Sequence, residues 1–134
     1  MLPLVPVLLL AGLTAGCNNN NTSTTTPTPP TLLTDTFSGT VTVNGSFSHP
    51  FTVARAGTVT AEITALSPDA TVVVGFALGT WNGAACQLVI TNDAATVSTA
   101  VLGTATAPGQ LCVRVSDVGQ LTAPTDYDVK VDHY

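Results

Sequence analysis

Charged side chains are scarce in this 134-residue chain: they make up 8% of its residues, against about 25% in an average soluble domain. Only three are Lys or Arg and eight are Asp or Glu, which gives a formal net charge of −5. So few basic residues cannot form the patch that nucleic acid or anionic lipid requires, so both are excluded as electrostatic partners. The rarity of Glu and Lys, with much Thr, Val and Gly, favours strands over helices.

The sequence also has no apolar run of the roughly 20 residues that a membrane-spanning helix requires. Residues 1–16 contain a shorter apolar core, followed by small residues, with the length of a signal-peptide h-region. Residues 17–34 start with Cys17 and are otherwise mostly Asn, Thr and Pro, without charge or apolar period. Such a tract cannot bury enough surface to fold and favours a disordered tether. The sequence therefore predicts a signal peptide, this tether, and a folded domain over residues 35–134.

The end of the apolar segment, Leu-Thr-Ala-Gly-Cys at residues 13–17, resembles the lipobox of bacterial lipoproteins. The resemblance implies cleavage before Cys17 and diacylglyceration of its thiol, so that acyl chains anchor the protein to a membrane. Asn18 follows in place of the Asp that favours inner-membrane retention in enteric lipoproteins. The expected location is the bacterial envelope, at the outer membrane or the cell surface.

Apolar and polar residues alternate through most of residues 35–134. In residues 111–117, for example, Leu111, Val113 and Val115 fall on one face of an extended strand. Short strands about 8–12 residues apart, without a helical period, are typical of an all-β, antiparallel two-sheet β-sandwich. Eight strands are predicted, over residues 40–43, 47–53, 59–65, 71–78, 86–91, 95–102, 111–117 and 127–131.

Local signals add detail to this pattern. Asn44-Gly45 predicts a two-residue hairpin between the first two strands. Pro50 cannot donate to a ladder, which predicts an edge position for the second strand. Residues 79–85, which include Trp81, read as an exposed connection.

Cys86 and Cys112 are the cysteines that remain if Cys17 is lipidated. An exported chain meets an oxidising compartment, which predicts a disulfide between them. A redox pair or a metal site is the alternative, but the chain has no Cys-x-x-Cys and too few ligands for zinc; free thiols are another. Because Cys112 is out of phase with the valines of its strand, the disulfide is expected on an outer face or at a sheet end.

Three segments are similar to strands of the bacterial pre-peptidase C-terminal (PPC) domain. They are residues 51–63 (Phe-Thr-Val-Ala-Arg-Ala-Gly-Thr-Val-Thr-Ala-Glu-Ile), 108–115 (Pro-Gly-Gln-Leu-Cys-Val-Arg-Val) and 127–131 (Tyr-Asp-Val-Lys-Val). The resemblance implies a jelly-roll-like sandwich on a secreted or surface protein. Such domains are most often appended to hydrolases without being catalytic, and some bind calcium or extracellular polymers.

Catalytic signals are few. His49 and His133 are the only histidines that could serve a nucleophile as base, and no Gly-x-Ser-x-Gly elbow is present. Asp126 and Asp128 alternate outward on the last strand with Asp132, as on a solvated face. The sequence therefore predicts no enzyme and no cofactor, with a calcium site using Asp117, Asp126 or Asp128 as the alternative.

Trp81 is the residue most suited to contact a ligand, since an aromatic ring offers a flat apolar face to a sugar or a protein hot spot. The alternative is that it folds back and caps one end of the sandwich. The expected function is binding or structural support by a lipid-anchored, non-catalytic envelope protein, with an envelope protein or polysaccharide as partner. The alternatives are a carbohydrate- or calcium-dependent adhesion module and an accessory subunit of a secreted hydrolase.

Overall fold

A computed structural model describes residues 23–134, of which residues 23–32 form neither helix nor strand and are exposed. The rest of the described chain forms eight strands. They are β1 (Leu33–Val41), β2 (Ser46–Val53), β3 (Gly57–Ser67), β4 (Val74–Trp81), β5 (Cys86–Ala95), β6 (Ala100–Ala105), β7 (Gly109–Ser116) and β8 (Thr125–His133). In this part of the chain no helix has the length and apolar character needed to cross a membrane.

The strands form two antiparallel four-stranded sheets. The first sheet has the order β1-β8-β3-β6 and the second the order β2-β7-β4-β5. This arrangement, with consecutive strands mostly in opposite sheets, is that of a jelly roll. The predicted all-β sandwich is confirmed.

The core lies between the sheets and is built by the alternating residues that the sequence pattern indicated. On β8, Tyr127, Val129 and Val131 are buried, while the residues between them face outward. On β7, Val113 and Val115 point into the same core. Each strand thus contributes one apolar face, and burial of these faces stabilises the stacking of the two sheets.

The turn at Asn44-Gly45 corrects one prediction. Asn44 has a positive φ of 59° and the amide of Gly45 donates to the Thr42 carbonyl, so the chain does turn there. However, β1 pairs with β8 and β2 pairs with β7, so the turn links the two sheets and closes no hairpin. An Asn-Gly turn can close a hairpin within one sheet or connect two sheets. Which of the two it does depends on the distant strands with which its flanking strands pair.

Strand positions differ from the predictions in several places. The first strand begins at Leu33, two residues before the predicted domain boundary. The fifth strand continues to Ala95, beyond its predicted end at residue 91, and the sixth begins at Ala100 instead of residue 95. The fourth strand continues to Trp81, so residues 79–81 belong to a strand and only residues 82–85 form the connection. The edge position of β2 is confirmed.

Candidate functional site

Cys86 and Cys112 form the predicted disulfide, with a Cα–Cα distance of 5.7 Å. Cys112 pairs with Pro50 on β2 and with Gly79 on β4, so it belongs to the row of residues that alternates with the core-facing valines. The bond therefore lies on the outer face of the second sheet, one of the two positions expected. Cys112 is nonetheless fully buried, which shows that another part of the chain covers this face.

The cover is the end of the β4–β5 hairpin, and Gly79 makes its close approach feasible. A Cβ atom at Gly79 would collide with the backbone carbonyl of Gln87 and lie 3.0 Å from the Cα atom of Leu88. The backbone of β5 thus occupies the space that a side chain at position 79 would need. The hairpin end folds across the outer face of its own sheet, and the disulfide fixes it to β7.

A recess of about 400 Å³ lies between the hairpin end and the sheet. Trp81 is half-buried in its wall. Phe47, from the start of β2, is 51% exposed, but its ring lies on the core side of that strand, 5.0 Å from the His49 ring. Arg114 supplies the cationic group. The residues that line the recess are Ser46, Phe47, Ser48, Trp81, Ala84, Ala85, Cys86 and Arg114.

A tight turn fixes the hairpin end and therefore this wall of the recess. The side-chain oxygen of Asn82 accepts hydrogen bonds from the amides of Ala84 and Ala85 at 2.9 and 2.8 Å. Gly83 adopts a positive φ of 94°, which glycine tolerates without strain. The turn holds Trp81 and Cys86 as antiparallel partners at the last position of the ladder.

His49 on β2 and His133 on β8 point into the edge of the core where β1 and β2 face each other, beside Phe37 and Phe51 respectively. His49 Nε2 is 2.9 Å from the hydroxyl oxygen of Tyr127, and His133 Nε2 is 2.9 Å from Asp35 Oδ2. Phe37 stacks on His49 with ring centroids 5.0 Å apart. Each histidine is in phase with the apolar residues of its strand. That phase was the signal for their inward orientation.

This edge is packed as part of the core. Phe51 covers the His133 ring at a centroid distance of 5.3 Å, and His133 is only 2% exposed. The Nδ1 atom of His133 is buried and has no hydrogen-bond partner within residues 23–134. No described hydroxyl is therefore held against that nitrogen, as a nucleophile paired with a base would be.

Burial shifts the titration of the His49–Tyr127 pair. It lowers the pKa of His49 below its usual 6.5 and raises the pKa of Tyr127 to about 12. Both shifts favour the neutral forms, as expected for polar groups enclosed by aromatic rings.

The lowered pKa of His49 predicts acid destabilisation in a defined range. Below pH 6.5 the unfolded chain takes up a proton at His49 that the folded chain does not yet bind, so stability falls with pH until the lower folded-state pKa is reached. Above that range this group contributes no pH dependence. In thermal melts at pH 7.5 and 5.5, we expect a smaller decrease in Tm for His49→Gln than for the wild type. An equal decrease would show that His49 titrates alike in both states.

The carboxylates considered for calcium lie apart and bind other groups. Asp117 Oδ1 accepts from the amides of Gly119, Gln120 and Leu121, and its Oδ2 accepts from that of Asn44. The bonds from Asn44 and Leu121 contribute most to lowering the pKa of Asp117. Asp126 and Asp128 accept from the hydroxyls of Thr40 and Ser38 on the outer face of the first sheet. Within residues 23–134, no three His, Cys, Asp or Glu side chains form a group that could hold a metal ion.

Cys17, the predicted lipidation site, lies outside the described residues, as do the predicted signal peptide and residues 17–22 of the predicted tether. No protein-family model matches the chain, and no curated protein matches its sequence.

Proposed function

We propose that this chain is a lipid-anchored protein of the bacterial envelope whose β-sandwich binds carbohydrate, without catalysis, in the recess on the second sheet. The observation that carries the proposal is the convergence of Trp81 and Arg114 on one recess. The Trp81 ring offers a flat apolar face to a sugar ring, while the guanidinium and the hydroxyls of Ser46 and Ser48 can bond to sugar hydroxyls. The recess volume falls in the usual range of ligand sites, about 300–1,000 Å³.

The lipid anchor is supported by the lipobox resemblance at residues 13–17 and by the uncharged tract that follows it. Intact mass of the protein purified from the membrane fraction tests it. We expect a chain that begins at Cys17 with added acyl mass, and a gain of about two daltons on reduction of the disulfide. An unacylated chain beginning elsewhere would refute the anchor.

The non-catalytic role is supported by the positions of the histidines, whose rings pack against Phe37 and Phe51 on the core side of the sheets, whereas Arg114 lies on the outer face of the second sheet. The resemblance of residues 51–63, 108–115 and 127–131 to PPC domains points in the same direction. We therefore also propose a relationship to those accessory domains.

Truncation of Trp81 tests the binding site. With envelope polysaccharides as ligands, we expect Trp81→Ala to weaken binding about 30-fold or more, since buried aromatic anchors commonly contribute about 2 kcal/mol or more. Titration calorimetry measures the affinity. Val89→Ala is the matched control, because Val89 is an apolar residue of β5 that is 70% exposed and outside the recess. Equal affinity of the Trp81 variant and the wild type would refute the site.

A further inference from the structure

Arg114 gives the recess a chemical preference. We infer that the ligand is an acidic carbohydrate, one whose sugar ring bears a carboxylate, and that Arg114 binds this carboxylate. The inference rests on the proposed function and specifies the class of sugar that the recess takes.

The first support is that Arg114 has no ionic partner of its own. No carboxylate within residues 23–134 lies at ion-pairing distance from it, whereas Lys130 pairs with Glu62 and Asp132 at 3.7 and 3.4 Å. The Nε atom of Arg114 is buried and has no hydrogen-bond partner in this part of the chain. Leaving a cationic group half-buried without a counter-ion costs free energy, and an anionic ligand would recover it.

The second support is the distribution of charge between the sheets. The strands of the first sheet carry five of the acidic residues, whereas β2, β7 and β4 of the second sheet carry none and β5 carries Asp93. The acidic residues of the first sheet are Asp35, Glu62, Asp126, Asp128 and Asp132. In a protein of net charge −5, an anion is repelled by most of the surface. The strands around Arg114 are the exception, since the carboxylate nearest to it in sequence, Asp117, lies beyond the end of β7 and accepts hydrogen bonds from four backbone amides.

The third support is the position of Arg114 in the recess. It pairs with Ser48 on β2 and Ala77 on β4, in the middle of the second sheet, and the hairpin end with Trp81 lies over this face. The planar guanidinium matches the two oxygens of a carboxylate, and partial burial strengthens the interaction. In a uronic sugar the carboxylate is attached directly to the ring. One residue of such a polymer can therefore contact the Trp81 ring and Arg114 together.

Matched pairs of oligosaccharides test the inference on the full domain. The probes are oligomers of glucuronate, galacturonate and mannuronate, each compared with its carboxyl-reduced, neutral counterpart. We expect at least one acidic oligomer to bind about tenfold or more tightly than its neutral counterpart, as for a charge-assisted hydrogen bond against a neutral one. Arg114→Gln should abolish this difference, and Arg114→Lys, which keeps the charge without the planar fork, should restore part of it.

Arg55→Gln is the matched control, because it removes the same charge from an exposed turn between β2 and β3 and should leave the preference intact. Circular dichroism and Tm establish that each variant is folded. Equal binding of acidic and neutral oligomers, still dependent on Trp81, would overturn the acidic preference and leave the proposed carbohydrate site standing. Failure of every oligomer to bind would overturn both the acidic preference and the proposed carbohydrate site.

Discussion

Replacing Cys86 and Cys112 together by alanine is expected to lower the free energy of unfolding by about 3–4 kcal/mol. The bond joins residues separated by 26 positions, and the entropy of closing a loop of that length gives this value. For a domain of about 100 residues, the corresponding decrease in Tm is roughly 15 °C. Chemical denaturation of the two proteins at one pH measures the difference.

The wild type under reducing conditions is the matched comparison, because it loses the bond and keeps both sulfur atoms. If it shows the same loss as the double variant, the effect belongs to the cross-link; a smaller loss assigns the remainder to the packing of Cys112. If the double variant and the reduced wild type each lost less than about 1 kcal/mol of unfolding free energy, strand pairing alone would hold the hairpin end. Because Cys86 lines the recess, we also expect weaker ligand binding after reduction.

Gly79→Ala is the second substitution with a large expected effect. The added methyl group would collide with the backbone carbonyl of Gln87, and backbone atoms cannot move aside as a flexible side chain can. Overpacking of this kind costs about 3 kcal/mol. It should also displace β5 from β4, and with it Trp81 and Cys86. Denaturation, a count of free thiols and ligand titration measure these three consequences.

Gly109→Ala provides the control for this substitution. Gly109 begins β7, and a Cβ atom there would meet no heavy atom within 4 Å. The same methyl group is therefore expected to change the free energy of unfolding by less than about 0.5 kcal/mol. If both variants were equally stable, the close crossing of β5 over Gly79 would be refuted.

The sequence predicted the fold class because strand periodicity is a local property. The alternation of Val113 and Val115 with polar neighbours, for instance, identifies a strand and its buried face without any knowledge of its partners. Strand pairing is not local, and this is why Asn44-Gly45 was mistaken for a hairpin. The same turn geometry can join two strands of one sheet or carry the chain to the other.

The candidate site was predictable only in part. Trp81 could be selected by residue type, because an aromatic beside a turn is suited to contact a ligand. Arg114 and Ser48 could not be linked to it, since they are brought beside it by a hairpin that folds across its own sheet. That fold depends on Gly79, and a single glycine in a strand pattern does not reveal which backbone segment approaches it.

The pairing of β1 has a mechanical consequence. All nine residues from Leu33 to Val41 pair with β8, and the chain enters the domain at the Leu33 end of this ladder. A pull delivered through the preceding segment along the axis of β1 loads the strand in shear. The hydrogen bonds of the ladder then share the load and must fail together, whereas a pull across the strand would open them one at a time. A domain held at its recess and pulled from its N-terminal side is therefore built to resist force.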